Sequence, residues 1–163
     1  MNIFYLHHDT KLCAEYHCNK HVVKMIIEYA QILSTAHREL DRIPYSIMDD
    51  LYKSTHVNHP STIWARLSSQ HYVWLYNLFI ACCDEYTLRY GKIHKTDLKL
   101  RNILKSLPKN IQDNGWKNPP LCMPDYCKSQ NAIVSYRNFY IKEKSKFATW
   151  KNRNAPEWFY AIK

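Results

Sequence analysis

The sequence predicts a mainly α protein: a compact helical bundle in one domain over residues 1–163, with a short extended N-terminus and long irregular loops. Two observations carry this. Apolar residues recur at helical spacing through three long segments, roughly residues 11–40, 62–90 and 129–152. The only glycines are Gly91 and Gly115, and the prolines fall between or beyond those segments. A chain of 163 residues can bury one sizeable core, whereas two domains would each be small.

Asn2–Leu6 is short and apolar, and reads as a first strand or an extended lead-in. Asp9 or Thr10 is placed to cap a helix running from about Lys11 to about Leu40, closed at the latest by Pro44. Tyr45–Lys53 fits a short helix, and residues 54–61 form a polar loop whose Ser61 suits the N-cap of the next helix. That helix is expected from Thr62 to about Tyr90, with Trp64, Leu67, His71, Leu75, Leu78 and Cys82 on one face. Gly91 sits where a left-handed C-cap belongs. Asp97–Leu107 reads as a cationic helix stopped by Pro108. Residues 109–128, with Pro119, Pro120 and Pro124, read as an ordered irregular loop of the length that is often functional. Ser129 is placed to cap a last helix through about Asn152, and the rings of Trp158, Phe159 and Tyr160 are expected to tuck against the body.

Two glycines leave no room for a glycine-rich phosphate loop or dinucleotide fingerprint, which excludes the common nucleotide-binding enzymes. Thirteen Tyr, five Trp and five Phe accompany a net charge of +9. Rings stack on bases and cations take phosphates, so this composition suits a polyanionic partner. The positive excess is concentrated in residues 92–109 and 128–153, while residues 1–60 are close to neutral, and such clustering favours a nucleic acid over mere solubility. Six cysteines without regular spacing, and a start too short and unbasic for a signal peptide, read as a cytosolic protein with reduced thiols. No apolar run is long enough to span a bilayer.

The stretch His17–Glu28 concentrates chemistry. His17, His21, Lys24, Glu28 and Gln31 recur at steps of four and three, one polar stripe on one helix, with Val22, Val23, Ile26 and Ile27 on its flanks. A stripe of two imidazoles, an ammonium and a carboxylate between apolar flanks reads as a cleft wall, and equally as a buried helix with satisfied polar groups. His17 and His21 at i and i+4 can share a metal, and His56 and His59 would complete four zinc ligands, although a site without any metal or cofactor is preferred. Residues 56–60 precede a helix start, so His56, Asn58 and His59 with Arg66 could hold a phosphate, or could be a capped loop with exposed imidazoles. Cys122 and Cys127 are spaced too widely for most zinc knuckles and are read as packing or loop residues.

The blocks Asn2–Asp9, Tyr16–Met25, Thr55–Pro60, Trp150–Arg153 and Pro156–Trp158 resemble a family of small proteins of tailed phages, which places the protein in the cytoplasm of an infected host cell. More distantly, the layout is similar to the phage pyrimidine-dimer DNA glycosylases: small, basic, all-helical enzymes with an extended N-terminus leading into a helix that carries the catalytic carboxylate. Asn58-His59-Pro60 before a Trp- and Tyr-rich helix, Tyr90-Gly91 and Trp150-Lys151 fit that pattern. The resemblance implies DNA, double-stranded rather than single-stranded, as the partner. It departs from the family in that Met1 precedes the large Asn2, and in that His21, Lys24 and Glu28 stand where the family has arginines around a glutamate.

The stripe and the 56–60 loop give a candidate catalytic set of His17, His21, Lys24, Glu28, His56 and His59; in the glycosylase that the resemblance implies, Glu28 would stabilise a cationic sugar or act as base and Lys24 or the terminal amine would form an imine. Asn58, Arg66, Lys92, Lys95, Arg137, Lys151 and Arg153 are expected on phosphates, and Trp64 or Trp116 on a flipped base. A base-modifying derivative of the fold, a nucleotide-level hydrolase or transferase, and a non-catalytic nucleic-acid or host-protein binding module are the alternatives.

Overall fold

The computed structural model describes residues 1–45 and 50–161. Among these residues the fold is all-α, in the order α1 (Thr10–Tyr16), α2 (Asn19–Asp41), α3 (Pro60–Leu67), α4 (Ser69–Tyr90), α5 (Lys95–Leu100), α6 (Ala132–Phe139) and α7 (Glu157–Tyr160). Between α6 and α7 the backbone widens into a π turn over Tyr140–Lys144, and a 3₁₀ turn occupies Asp125–Cys127. The two long helices α2 and α4 pack on each other, α1 packs on α4, and α3 bridges both. Between them lie Ile26, Tyr29, Ile32, Leu33, Leu75, Leu78 and Phe79, all fully buried. Each such side chain withdrawn from water contributes about 2 kcal/mol. No described helix is long and apolar enough to cross a membrane.

The N-terminus is extended, as expected, but forms no strand. Ile3–Leu6 thread through the core instead, with Phe4 N–H donating to Tyr29 Oη at 3.2 Å.

The single helix expected over 11–40 is two. His17 and Cys18 adopt extended ψ angles of 127° and 163°, and the break is held from outside. Arg89, wholly buried on α4, donates to the carbonyls of His17 (2.8 Å) and Glu15 (3.0 Å) and to Asn19 Oδ1 (3.1 Å). Asn19 N–H reaches Thr149 O at 2.8 Å. Orphan groups at both helix ends are thereby satisfied. The second apolar flank of the stripe is not buried either: Val23 and Ile27 are exposed.

The helix expected over 62–90 also breaks. Ser68 is extended and caps α4 through its hydroxyl, while Asn114 Nδ2 donates to Leu67 O at 2.7 Å and Ser69 N–H to Gln112 O at 2.9 Å. Leu67 at this corner is consequently exposed, and the rest of its expected face is buried. His59, not Ser61, caps α3, its Nδ1 accepting from Ser61 N–H, with Pro60 at the first helical position. Gly91 caps α4 with φ 68°, as predicted.

The cationic helix is shorter than expected, Lys95–Leu100, and is capped by His94. Asn131 rather than Ser129 caps α6. The regular helix expected to Asn152 ends at Phe139 and the π turn at Lys144. The short helix expected at Tyr45–Lys53 lies largely on residues 46–49, outside those described; residues 50–53 are not helical.

Candidate active site

The start of α2 builds the site. His21, Lys24 and Glu28 follow one another up successive turns, and the extended N-terminus runs beside them. Phe139 of α6 and Lys144 at the end of the π turn close the other side. Together with Met1, Asn2, Phe4 and Met25 they line one cavity of about 170 Å³. Within it Lys24 Nζ lies 3.3 Å from Glu28 Oε1; the lysine side chain is 70% exposed and the glutamate 16%. The carboxylate is thus half-buried and faces a small volume flanked by ammonium groups.

The wall is fixed by contacts from far along the chain. Asn2 Nδ2 donates to Cys122 O at 2.9 Å, and its Oδ1 accepts from Tyr136 Oη at 3.0 Å, which pins the N-terminal segment to the 109–128 loop. Cys122 Sγ meets Ser61 Oγ at 3.6 Å, tying that loop to the start of α3. His59, the cap of α3, is held below the ordinary imidazole range by burial first, then by the Met1 amine and His56, with Glu28 pulling the other way. The 56–60 loop, the 122 region and α2 therefore meet around the beginning of the chain.

His21 is the buried titratable group of the cavity wall. Its ring stacks on Phe4 with centroids 4.1 Å apart, and its Nδ1 lies 2.5 Å from Tyr140 Oη. Burial, with His17, Lys144 and Lys24 nearby, pushes its pKa down to about 2. It stands in the wall as a neutral imidazole.

Other residues of the expected site lie elsewhere. His17 caps α1 in the interior, with Nδ1 on Cys13 O (2.6 Å) and Nε2 on Tyr29 Oη (2.7 Å), and burial lowers its pKa to about 4. Its place is structural, because the helix break turns it away from the stripe. The four histidines of the zinc alternative do not converge, and no group of three or more His, Cys, Asp or Glu among the described residues could hold a metal ion. Trp64 is buried, stacked on His71 at 4.3 Å, and its Nε1 donates to Lys117 O, so it cannot receive a base. Trp116 is half-buried and lines a separate cavity with His8, Trp74 and Asn77.

The expected phosphate ligands are scattered. Arg66 Nη2 donates to Val57 O at 2.8 Å and so props the 56–60 loop from behind, where Asn58 and His56 are exposed. Arg137 donates to Leu6 O and lies over the rings of Tyr16 and Trp158. Arg153 forks onto Glu85 with bonds of 2.9 and 3.1 Å. Both are half-buried and tied to these partners. Lys92 and Lys95 border another cavity beside Ile27, and Lys151 lies over Tyr90. Lys144, Phe139 and Tyr140 were not singled out by the sequence reading; only the charge cluster at 128–153 hinted at the first.

The family model for the pyrimidine dimer DNA glycosylases matches residues 1–99, more than half of the chain. That span includes every cavity residue except Phe139 and Lys144. No curated protein and no solved structure matches the chain.

Proposed function

Because the chain belongs to the pyrimidine dimer DNA glycosylase family, we propose that it excises a damaged pyrimidine from duplex DNA at the cavity between the N-terminus and α2. One observation supports this above the others: a half-buried carboxylate, Glu28, is paired with Lys24 Nζ in a small cavity that Met1 also lines. Glycosidic cleavage places positive charge on the sugar, and a fixed carboxylate stabilises that charge most strongly where water is scarce.

In the reaction we envisage, an unprotonated amine of the cavity bonds to C1′ of the sugar. The C1′–N1 bond breaks, and its electron pair leaves on the base, which takes up a proton. Loss of a proton from the attacking nitrogen, with opening of the C1′–O4′ bond and protonation of that oxygen, leaves a protonated imine (an iminium). Glu28 faces C1′ throughout and accepts the proton from the amine. Lys24 and Lys144 line the cavity, where they would meet the backbone phosphates next to the lesion.

The test is cleavage of a duplex oligonucleotide carrying one thymine dimer. Glycosidic cleavage by the wild type, read as an alkali-labile strand break at the dimer because the freed base stays joined to its neighbour, and lost in Glu28→Gln, is the expected result. Equal cleavage by both proteins would remove Glu28 from the chemistry, and no cleavage by the wild type would remove the proposed reaction.

A further inference from the structure

The cavity wall contains a hydrogen-bond relay that does not belong to the charged pair. Tyr140 is fully buried at the first residue of the π turn, and its hydroxyl has one neighbour of fixed polarity and one whose role follows from it. Cys18 N–H, at the break before α2, donates to Tyr140 Oη at 3.4 Å. His21 Nδ1 lies 2.5 Å from the same oxygen. An oxygen that already accepts from a backbone N–H directs its own proton to the best remaining acceptor. The Cys18 thiol is also close, but sulfur is a weak acceptor and an imidazole nitrogen a strong one. The hydroxyl proton therefore goes to His21 Nδ1, and the ring carries its hydrogen on Nε2.

The geometry points to Tyr140 as the positioning residue that fixes His21 in the Nε2–H tautomer, so that the cavity presents a rigid uncharged N–H donor to an oxygen of the substrate. This rests on the excision reading of the same cavity and adds to it a polarity for one wall. The ring cannot turn over: Phe4 stacks on one face, and Phe147 meets it edge-on at 5.9 Å. It also stays neutral, since burial opposes its protonation together with Lys24 of its own helix, Lys144 of the π turn and His17 at the end of α1. Glu28 and the Met1 amine complete the charged groups around it. A neutral donor steers an oxygen of the sugar or base without competing with Glu28 for the reacting proton. The π turn has a part in this, because it brings Tyr140 inward and delivers Lys144 to the cavity rim, and such turns recur at functional sites.

Two measurements on the full chain test it. Nitrogen-15 correlation spectra of the wild type should show His21 protonated on Nε2 and bare on Nδ1, and Tyr140→Phe should show a mixture. A wild-type ring protonated on Nδ1 would overturn the assignment, whether or not the protein excises dimers. On the thymine-dimer duplex, Tyr140→Phe should lower kcat about tenfold with KM little changed. Gln places an amide N–H near the position of Nε2 and has no tautomers, so in a His21→Gln background the same Tyr140→Phe change should move kcat by less than about twofold. An equal loss in both backgrounds would make Tyr140 a packing residue only. If His21→Gln abolishes turnover, the spectra decide alone. Failure of the wild type to break the glycosidic bond would sink the excision reading while leaving the tautomer assignment standing or falling on its own spectrum.

Discussion

Two acid–base pairs with the same spacing sit on the two long helices, and they have opposite fates. Glu85 and Arg89 on α4 are almost wholly buried, and every strong partner is used: Arg89 Nε and Arg153 Nε both reach Glu85 Oε1 at 2.9 Å, while the rest of the Arg89 guanidinium holds the α1–α2 break. Lys24 and Glu28 on α2 are half open, and the carboxylate looks into a cavity. A planar guanidinium inside the core makes a clamp, whereas a flexible ammonium at the rim leaves a carboxylate available. Spacing alone does not separate a structural pair from a reactive one; what surrounds each pair does.

Breaking the clamp should have the largest effect. Arg89→Met leaves Glu85 with one cation and two carbonyls of the helix break unpaired, and should cost about 3–5 kcal/mol in urea unfolding. A loss under about 1 kcal/mol would mean the break is held by other contacts. Glu28→Gln should instead lower dimer excision by about a hundredfold or more, with stability changed by less than about 1 kcal/mol. The clamp and the cavity are then separable by the two readouts.

Acid sharpens the contrast further. Burial alone would raise the Glu85 carboxyl, but hydrogen bonds from Arg153 and Arg89 outweigh it and hold it below the usual range. Its stabilising contribution is present above the unfolded carboxylate range and is lost as pH falls through the lower folded value. His17 acts in the same direction at higher pH. Its folded value near 4 lies below the ordinary 6.5, so stability is full above 6.5 and declines as pH drops towards 4. Melting temperature against pH should fall over that window in the wild type, and the slope should flatten in His17→Gln. The smallest effect is expected at Lys95→Ala, which borders a different cavity: about one unit less salt dependence of DNA affinity at most, and unchanged excision.

The helical class and the Gly91 cap were legible in the sequence, because apolar periodicity and glycine conformation are local properties. The two helix breaks were not, because Arg89, Thr149 and Asn114 impose them from distant positions. At the site, the stripe pointed to His21, Lys24 and Glu28, which do line one cavity, and also to His17, which the break turns inward. Trp64, Arg137 and Arg153 carry the chemistry a DNA surface needs, but a sequence does not show that an indole already stacks on His71 or that a guanidinium already holds Glu85. Beyond the charge cluster that contains Lys144, the sequence could not place Tyr140 and Lys144 at the site, since their position depends on the widened turn after α6.

The excision chemistry turns on which nitrogen joins the sugar. Borohydride reduction of the wild-type protein on a thymine-dimer duplex, followed by peptide mass mapping, should give one covalent adduct, on Met1 or on Lys24. An adduct on a lysine outside the cavity, such as Lys95, or glycosidic cleavage with no adduct at all, would contradict it.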